Sequence, residues 1–320
     1  MTMTEPAEAS TAPGHAGPDD PRDAMFAAIL ARHFGPETRI EIGAASDISG
    51  GNNSTSIRRR DLVVDGRPLS LVEKMPSVLP EERIALNLRE AWLYDHYFRD
   101  HRIASTPRFY GSATEGGRMQ LVFGFVPGVR PDLRTRAARN RVLAALGAVN
   151  AVPVPADLPF RRTSLSYVAA EQIAARGARL LAEDPPGRDG LARFLADLPA
   201  YAARYAGLPT GLGHGDCHGG NILVDGDAVV LIDWTRWGDH PLGSDAGKYL
   251  AGLLHRTGTP LTKGLRAYAA AVGADLGDVV FGARYTRIGF LLSLLPKNPP
   301  KRGTLLRELA QQAAEAARDP

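Results

Sequence analysis

Several residue types are scarce in this chain of 320 residues, and each scarcity removes a class of protein. Cys217 is the single cysteine, so neither an internal disulfide nor a thiolate zinc site can form. No apolar run approaches the roughly 18 residues that a membrane span needs, and residues 1–21 lack the apolar stretch of a signal peptide. The net charge of +3 comes without a basic stripe interleaved with aromatics. We therefore expect a cytosolic (cytoplasmic) protein whose partners include neither a membrane nor a nucleic acid.

Lysine is also scarce, and its scarcity directs attention to one residue. Of the 38 lysine and arginine residues five are lysine, and Lys74 is the only one in the first 247 residues. It ends an apolar run, 69–74, that is typical of a strand. An ammonium on a flexible stem is a compact point charge, whereas a guanidinium is a planar fork. A chain that otherwise uses arginine therefore indicates a specific use for Lys74, and a solvated lysine at a strand end is the alternative.

A short glycine-rich segment followed by two apolar runs has the most informative pattern in the chain. The runs, 222–224 and 228–232, flank an Asp-Gly-Asp turn signal and predict a hairpin. Asn221 and Asp233 lie at its two open ends, where their oxygens suit a hard cation such as Mg²⁺. Asp216, five positions before Asn221, would lie beside that metal as a base for a hydroxyl nucleophile. These are the parts of a phosphoryl-transfer site.

The same segment carries a resemblance to a known family. The matching residues are His214-Gly215-Asp216, His218 and Asn221, followed by Ile232-Asp233-Trp234. They resemble the catalytic segment of the aminoglycoside phosphotransferase and choline kinase family. The resemblance implies a protein-kinase-like fold, Asp216 as catalytic base, and Asn221 and Asp233 as ligands of Mg²⁺. It also implies ATP or GTP as the phosphoryl donor.

The resemblance gives Lys74 the role of the lysine that touches the nucleotide phosphates. Such a lysine needs a carboxylate to hold it, and the next helix offers one. This helix is predicted from Pro80 to about Phe98, and its spacing places Glu90 on an apolar face. A buried carboxylate is costly unless it is paired, so Glu90 is predicted to pair with Lys74. An exposed glutamate at a helix edge is the alternative.

Two further segments are predicted to contact the nucleotide. Just before a strand predicted at 55–64, small residues would let backbone N–H groups approach phosphate oxygens. They are Gly50, Gly51, Asn52, Asn53 and Ser54. An ordinary hairpin loop is the alternative, since the full G-x-G-x-x-G is absent. A later hairpin, 108–113 with 119–126, ends at Phe125 and Val126, which resemble the hinge that contacts the adenine in the family.

The chain length suits one bilobal enzyme with a sizeable core. Residues 1–21 are expected to form a disordered tail, because they are polar and rich in Pro, Ala and Thr. Residues 22–127 are predicted to be a nucleotide-binding N-lobe built on an antiparallel sheet. Residues 128–320 are predicted to be a mainly helical C-lobe that carries the catalytic loop and the acceptor site. The predicted fold class is therefore α+β, with the catalytic hairpin inserted in the helical lobe.

The residues after the second aspartate bear on the acceptor. Candidate acceptor contacts are Trp234, Trp237 and Asp239, and the residues expected to support the catalytic loop are His214, His218 and Asp245. Many family members carry a glutamate about two residues after Asp-Trp, where this chain has Thr235 and Arg236, so the contacts of one subfamily do not carry over. Residues 251–320 hold ten basic and five acidic side chains, which weakens a polycationic acceptor without excluding it.

We expect an ATP- and Mg²⁺-dependent O-phosphotransferase that acts on a hydroxyl of a small molecule. An antibiotic is the favoured acceptor, in resistance or self-protection, and a metabolite such as a sugar, a choline-like amino alcohol or homoserine is the alternative. Two other classes stay open: a catalytically silent kinase-like binding module, and a metal hydrolase in which His214, Asp216 and His218 are ligands. A protein kinase is disfavoured, because no long activation segment or Ala-Pro-Glu motif follows.

Overall fold

The computed structural model describes residues 21–48, 55–76, 81–99, 103, 105–132, 135–154, 156, 158, 165–251, 261–297 and 299–316. Residues 1–20 of the predicted tail, and the segment 49–54 that holds the predicted nucleotide-binding residues, lie outside these ranges. The described chain divides into two compact units. One contains residues 21–76 and Tyr110–Phe123, and the other contains 81–109 and the chain from Gly124 onward.

The first unit is a five-stranded sheet with one helix packed on it. Its elements are α1 (Pro21–Phe34), β1 (Ile40–Asp47), β2 (Thr55–Val64), β3 (Arg67–Pro76), β4 (Phe109–Glu115) and β5 (Arg118–Gly124). The strand order is β1-β2-β3-β5-β4, and β2 is antiparallel to both β1 and β3. The strand predicted at 55–64 is confirmed at these limits, and the later hairpin is confirmed with ends shifted by one or two residues.

Two tight turns in this sheet depend on their residue types. Asp65 and Gly66 join β2 to β3 with φ of 48° and 78°, and Gly116 and Gly117 join β4 to β5 with φ of 55° and 72°. A two-residue hairpin of type I′ requires positive φ at both central positions. Glycine adopts this region without steric cost and aspartate tolerates it. The turn signals in the sequence therefore determine where these hairpins reverse.

Helix α1 completes the core of the first unit. Its apolar face carries Phe26, Ile29 and Leu30, which are at most 1% exposed. They pack against residues of the sheet, namely Leu62, Leu71, Tyr110 and Val122. The i, i+3, i+4 spacing of these apolar residues is that of an amphipathic helix. Successive side chains of a strand point to opposite faces of the sheet, so every second residue of a strand faces α1.

A cluster of charged side chains is buried on the α1 side of the sheet. Glu73, which is 1% exposed, accepts hydrogen bonds from Arg58 at 2.7 Å, Arg60 at 2.6 Å and the Gln120 amide at 2.8 Å. Asp23 of α1 accepts a further bond from Arg60 at 2.5 Å. Paired carboxylates are what permits two guanidinium groups to be buried. The cluster thus ties α1 to β2, β3 and β5.

The same alternation defines the environment of Lys74. Leu71 packs against α1 and Glu73 is bonded through Arg60 to Asp23 on that helix, so the odd positions of β3 face α1. Lys74 is therefore directed to the opposite face of the sheet, where its side chain is half-buried. The side chains of Glu73 and Lys74, which are adjacent in sequence, therefore lie on opposite faces of the sheet.

Replacing Glu73 with Ala should destabilise the first unit strongly, because it leaves two buried guanidinium groups without their main partner. The expected loss in the free energy of unfolding is about 3–5 kcal/mol, measured by urea denaturation followed by circular dichroism. Asp61→Ala is the matched control, since this carboxylate also pairs with an arginine of β2 but lies on the surface. Equal effects of the two substitutions would contradict the role given to the buried cluster.

The second unit is mainly helical. Its helices are α2 (Glu81–Trp92), α3 (Arg136–Asn150), α4 (Ala170–Leu181), α5 (Arg188–Ala196), α6 (Leu198–Ala206), α7 (Ser244–Leu250), α8 (Leu261–Val272), α9 (Leu276–Leu294) and α10 (Arg302–Ala316). Four short strands form two antiparallel pairs, β6 (Thr210–Gly213) with β9 (Gly238–Pro241), and β7 (Ile222–Asp225) with β8 (Ala228–Leu231). Among the described residues, no helix combines the length and apolar character that a bilayer span requires.

The core of this unit surrounds α9. Thirteen of its residues are buried, and it packs with α4, α5, α6 and α10. Helix α7 approaches α9 backbone to backbone, because a Cβ on Gly247 would lie 2.3 Å from the carbonyl oxygen of Ala283. A Cβ on Gly282 would likewise lie 2.0 Å from the carbonyl oxygen of Leu242. Glycine at these contacts leaves α7 little freedom to move relative to α9.

Residues 81–109 pack with the helical unit, a different division from the predicted boundary after residue 127. Helix α2 continues as a π-helical segment over Leu93–Phe98, so the predicted helix does run to Phe98. Glu90 accepts a hydrogen bond from the backbone of Trp234 at 2.9 Å, and Arg89 donates to the carbonyl of Trp237 at 3.1 Å. These contacts explain why α2 belongs with the segment that follows β8.

Candidate active site

The predicted catalytic segment is a tight loop between β6 and β7. The chain leaves β6 at Gly213, turns through residues 214–218, and forms a single 3-10 turn over Gly219–Asn221 before β7. Gly215 has a φ of 74°, and a Cβ there would lie 2.2 Å from the carbonyl oxygen of Arg236. Only glycine fits both conditions. The glycines therefore mark a close backbone approach, as a tight loop requires.

His214 fastens this loop to the far end of the hairpin. Its Nδ1 accepts a hydrogen bond from the backbone N–H of Asp216 at 3.2 Å, and its Nε2 lies 2.9 Å from the carbonyl oxygen of Ile232. Accepting at one nitrogen and donating from the other is what a neutral imidazole does. Burial lowers the pKa of His214, which keeps the ring neutral. Both ring nitrogens are thus engaged in holding the fold.

Asp245 holds the same loop from the other side. Its buried carboxylate accepts hydrogen bonds from the backbone N–H groups of His214 at 2.7 Å and Gly215 at 2.9 Å. The side-chain amide of Asn150 donates a third, at 3.1 Å. Bonds from N–H groups to a buried carboxylate are short and strong. Asp245 belongs to α7, so the position of that helix sets the position of the loop.

Asp216 lies where these constraints meet. Its side chain is 25% exposed, and its Oδ1 is ion-paired with Lys248. His218 lies on the other side, with its Nε2 3.9 Å from Oδ2. Burial alone would raise the pKa of Asp216, but the adjacent Lys248 ammonium outweighs it and the pKa is lowered. Asp216 is therefore ionised at neutral pH and can accept a hydrogen bond from a hydroxyl.

The two predicted metal ligands occupy paired ends of the hairpin. The backbone N–H of Ile232 donates to the carbonyl of Asn221 at 3.0 Å, which brings Asp233 beside Asn221. The Asn221 side-chain amide donates to the carbonyl of Asp216 at 3.0 Å, so its remaining polar atom is the amide oxygen. Asp233 has a φ of 65°, a left-handed conformation that is uncommon outside glycine and concentrates at functional sites.

This pair of residues fits a divalent cation of the Mg²⁺ type. An amide oxygen and a carboxylate are hard ligands, and Mg²⁺ takes one or two carboxylates and completes its octahedron with phosphate oxygens and water. The described residues contain no cluster of three or more His, Cys, Asp or Glu side chains suited to a metal. A hydrolase site with His214 as a ligand is disfavoured, because both nitrogens of that ring are already bonded within the protein.

The tryptophans after Asp233 do not match their predicted use. Trp234 and Trp237 are both 0% exposed, which does not agree with direct contact to an acceptor. The Trp234 indole donates to the carbonyl of Leu231 at 3.0 Å, and the Trp237 indole donates to the carbonyl of Arg89 at 3.0 Å. Large aromatic rings with one polar atom commonly fill a core in this way. Asp239, which is half-buried, stays a predicted acceptor contact.

Glu90 is buried as its helical spacing predicts, at 1% exposure. Its carboxylate accepts the hydrogen bond from the N–H of Trp234, the residue next to Asp233, so Glu90 also supports the Asp233 end of the hairpin. Its pairing with Lys74 stays a prediction. The proposed nucleotide loop, Gly50 to Ser54, lies outside the described residues.

The segment after Phe125 and Val126 is hydrogen-bonded to the β7–β8 hairpin. Val129 and Val224 exchange backbone hydrogen bonds at 2.9 and 2.8 Å. A Cβ on Gly128 would lie 2.8 Å from the carbonyl oxygen of Val224, so glycine is needed at this crossing. The proposed adenine contacts at Phe125 and Val126 are half-buried and stay a prediction.

Lys248 was not among the residues predicted from the sequence. It is 6% exposed and contacts Asp216, whereas Lys297 and Lys301 lie on the surface. The scarcity of lysine that draws attention to Lys74 applies equally to Lys248, so composition did contain a signal. Composition did not show which residue Lys248 contacts, because Lys248 follows Asp216 by 32 residues and no short motif joins them.

The two-unit fold and this loop define a small-molecule phosphotransferase of the protein-kinase-like class. The model of the phosphotransferase enzyme family, APH, matches residues 62–280, and the chain belongs to that family. Among curated proteins, none matches the sequence significantly.

Three solved structures illustrate the fold. A choline kinase from Cryptosporidium parvum Iowa II is 10% identical, with 93% of this chain and 94% of that chain covered and a TM-score of 0.56. An amicoumacin kinase solved with AMP-PNP and Ca²⁺ is 15% identical, with 93% and 94% covered and a TM-score of 0.53. An aminoglycoside phosphotransferase from Alicyclobacillus acidocaldarius is 14% identical, with 86% and 93% covered and a TM-score of 0.52. At these identities the likeness establishes the fold.

Stability should fall in mild acid because of buried histidines. Burial lowers the pKa of His214 and His240, and within the described part of the chain neither ring nitrogen of His240 has a hydrogen-bond partner. The unfolded chain, with a histidine pKa of about 6.5, then takes up protons that the folded chain does not. The stability that these rings contribute is present above that pH and is lost as pH falls below it.

The free energy of unfolding should therefore decrease between about pH 7.5 and pH 5. His240→Phe should flatten this dependence, and His96→Gln, which changes an exposed histidine, should leave it unchanged. Urea denaturation across the pH range provides the measurement. An unaltered slope in His240→Phe would contradict the account.

Proposed function

We propose that the protein is an ATP- and Mg²⁺-dependent O-phosphotransferase that moves the γ-phosphoryl group to a hydroxyl of a small molecule. The observation that carries the proposal is the bonded unit of loop and hairpin, in which Asp216, Asn221 and Asp233 are held together. A base and two oxygen ligands in one rigid unit are what phosphoryl transfer needs, since its catalysis rests on positioning and on charge stabilisation. The AMP-PNP in the amicoumacin kinase supports an adenine nucleotide over GTP.

Each residue has a separate task in this proposal. Asp216 accepts a hydrogen bond from the acceptor hydroxyl and directs its lone pair at the γ-phosphorus. Asn221 and Asp233 would hold Mg²⁺, which when bound neutralises charge on the phosphate oxygens. Lys74 would contact the phosphates, and Glu90 would orient it. Asp216 acts more by orientation than by basicity, because the pKa of its carboxyl is lowered and such transition states place little demand on proton removal.

An antibiotic is the favoured acceptor, which would make resistance or self-protection the biological role. Solved structures with the same fold include kinases of amicoumacin and of aminoglycosides. A metabolite such as a sugar, an amino alcohol or homoserine is the second candidate, supported by the choline kinase fold and by the excess of basic residues after 251. The presence of all five proposed catalytic residues argues against a silent binding module.

Two substitutions should separate the roles of the carboxylates. Asp216→Asn should reduce phosphoryl transfer about 10²- to 10⁴-fold and leave MgATP affinity nearly unchanged. Asp233→Ala should remove the Mg²⁺ dependence of ATP binding, because one of two protein ligands is lost. Calorimetric titration of ATP with and without Mg²⁺, together with turnover of an acceptor found by screening for a mass gain of one phosphate, measures both. A Mg²⁺ dependence that survives in Asp233→Ala would refute the metal site.

The proposed pairing of Lys74 with Glu90 makes a further prediction. Lys74→Arg should fail nearly as badly as Lys74→Ala, because a guanidinium fork cannot replace a compact point charge between a carboxylate and phosphates. Losses of kcat/KM for ATP in Lys74→Ala and Glu90→Ala should be less than additive in the double variant. Lys297→Arg, at an exposed lysine, is the control and should be silent. Full activity of Lys74→Arg or strict additivity would disprove the pairing.

A further inference from the structure

Lys248 is a buried lysine beside the proposed base, and the proposed reaction gives it no role. Its ammonium donates a hydrogen bond to the carbonyl of Gly215 at 3.1 Å and contacts Oδ1 of Asp216. The side chain of Lys248 is 6% exposed. A buried charge is stable only when its partners replace the water it has lost. The burial of the Lys248 ammonium is therefore stabilised by the loop that carries Asp216, and the same contacts hold that loop in place.

Two aromatic rings restrict the ammonium further. It lies 5.4 Å from the ring centroid of Tyr167 and 5.2 Å from that of Phe290, distances at which the face of a ring attracts a cation. The two rings contact each other edge to face, with centroids 5.3 Å apart. Because the rings come from separate parts of the helical unit, they define one position for the Lys248 ammonium.

Lys248 and Asp245 act on the loop from the same helix. They are three positions apart on α7, so their side chains lie on one face. Asp245 binds the N–H groups of His214 and Gly215, and Lys248 binds the carbonyl of Gly215 and the carboxylate of Asp216. The close approach of α7 to α9 keeps this face in place. The two side chains thus hold consecutive peptide groups from one rigid support.

We propose that Lys248 is the positioning residue for Asp216, an inference that rests on the proposed function. Lys248 holds Oδ1, and His218 lies 3.9 Å from Oδ2, too far for a hydrogen bond, so Oδ2 is the oxygen that receives the acceptor hydroxyl. In the transfer, the acceptor oxygen forms a bond to the γ-phosphorus and the bond from that phosphorus to the bridging oxygen breaks. The electron pair leaves with ADP, and the hydroxyl proton goes to Oδ2. Lys248 takes no part in bond making.

The chemistry of lysine suits this position better than that of arginine. Two rings, a carbonyl and one carboxylate oxygen enclose a compact cation. A guanidinium has five donors in a planar fork and would bind a carboxylate through both oxygens. That would occupy Oδ2 as well. Lysine is rare in this chain, at five of 38 basic residues. Its presence at position 248 agrees with a site where a second hydrogen bond, to Oδ2, would block the proposed base.

The test uses water as the acceptor, so that it does not depend on the natural substrate. ADP release from MgATP is measured for the full chain and for Lys248→Met, Lys248→Arg and Lys248→Ala. Lys297→Met, at an exposed lysine, is the matched control. A misplacement of about 1 Å costs roughly 10²-fold in rate, so kcat should fall by about that factor in each Lys248 variant. KM for MgATP should stay within about twofold of wild type, a split that a general loss of structure would not produce.

Two further measurements separate positioning from stability. Propylamine should partly restore kcat in Lys248→Ala, because it returns an ammonium to the vacated space. In an Asp216→Asn background, Lys248→Met should reduce kcat little further, since both act through one carboxylate. Circular dichroism reports folding of each variant. If Lys248→Met does not fold, the arginine and alanine variants decide by the same criteria.

The outcomes distinguish this inference from the proposed function. An active wild type with an unchanged kcat in Lys248→Met, or full activity in Lys248→Arg, overturns the positioning role alone. Additive losses in the Asp216→Asn background also overturn it. A folded wild type that neither releases ADP from MgATP with water nor transfers phosphate to any hydroxyl acceptor in the screen overturns the proposed function and this inference with it.

Discussion

The hydrogen bonds that the Asp245 carboxylate accepts from the backbone of His214 and Gly215 are the constraint on which the candidate site depends. They fix two consecutive peptide groups at the point where the chain leaves β6. From there His214 reaches the end of β8, and Asn221 reaches the carbonyl of Asp216. Each of these contacts is a hydrogen bond, and together they hold the loop in a single conformation. Removing the carboxylate would leave two buried N–H groups without partners, which is costly in itself.

Helix packing transmits this constraint to the rest of the helical unit. Asp245 lies on α7, and Gly247 allows α7 to touch the backbone of α9. Helix α9 is buried along most of its length among four other helices. The core therefore determines where α7 lies, and α7 determines where Asp216 lies. Low sequence identity to other kinases of this fold is compatible with such a site. The site requires a few close backbone contacts and a few hydrogen bonds, whereas the apolar side chains of the core can be exchanged if their volume is kept.

Local features of the site could be predicted from the sequence, and long-range ones could not. The hairpin at 222–231 and the strand at 55–64 are encoded by turn residues next to apolar runs, so neighbouring residues suffice. The burial of Glu90 follows from helical spacing. By contrast, the full burial of Trp234 and Trp237 depends on α2, which lies more than a hundred residues earlier. The cluster around Glu73 likewise joins four separate elements.

Lys248 shows why composition and motifs together still miss a contact within the candidate site. Its scarcity marks it as unusual, yet only the folded chain places its ammonium against Asp216. The pairing also changes what Asp216, the proposed base, would present to an acceptor. A lone carboxylate would attract an amine, whereas one already bound to an ammonium presents a hydrogen-bond acceptor with little net charge. Acidic walls for a polycation would then have to come from elsewhere in the acceptor site. In the proposed reaction, the charge next to Asp216 thus favours recognition of the hydroxyl itself, and the acceptor's other groups would be bound by more distant residues such as Asp239, a predicted acceptor contact.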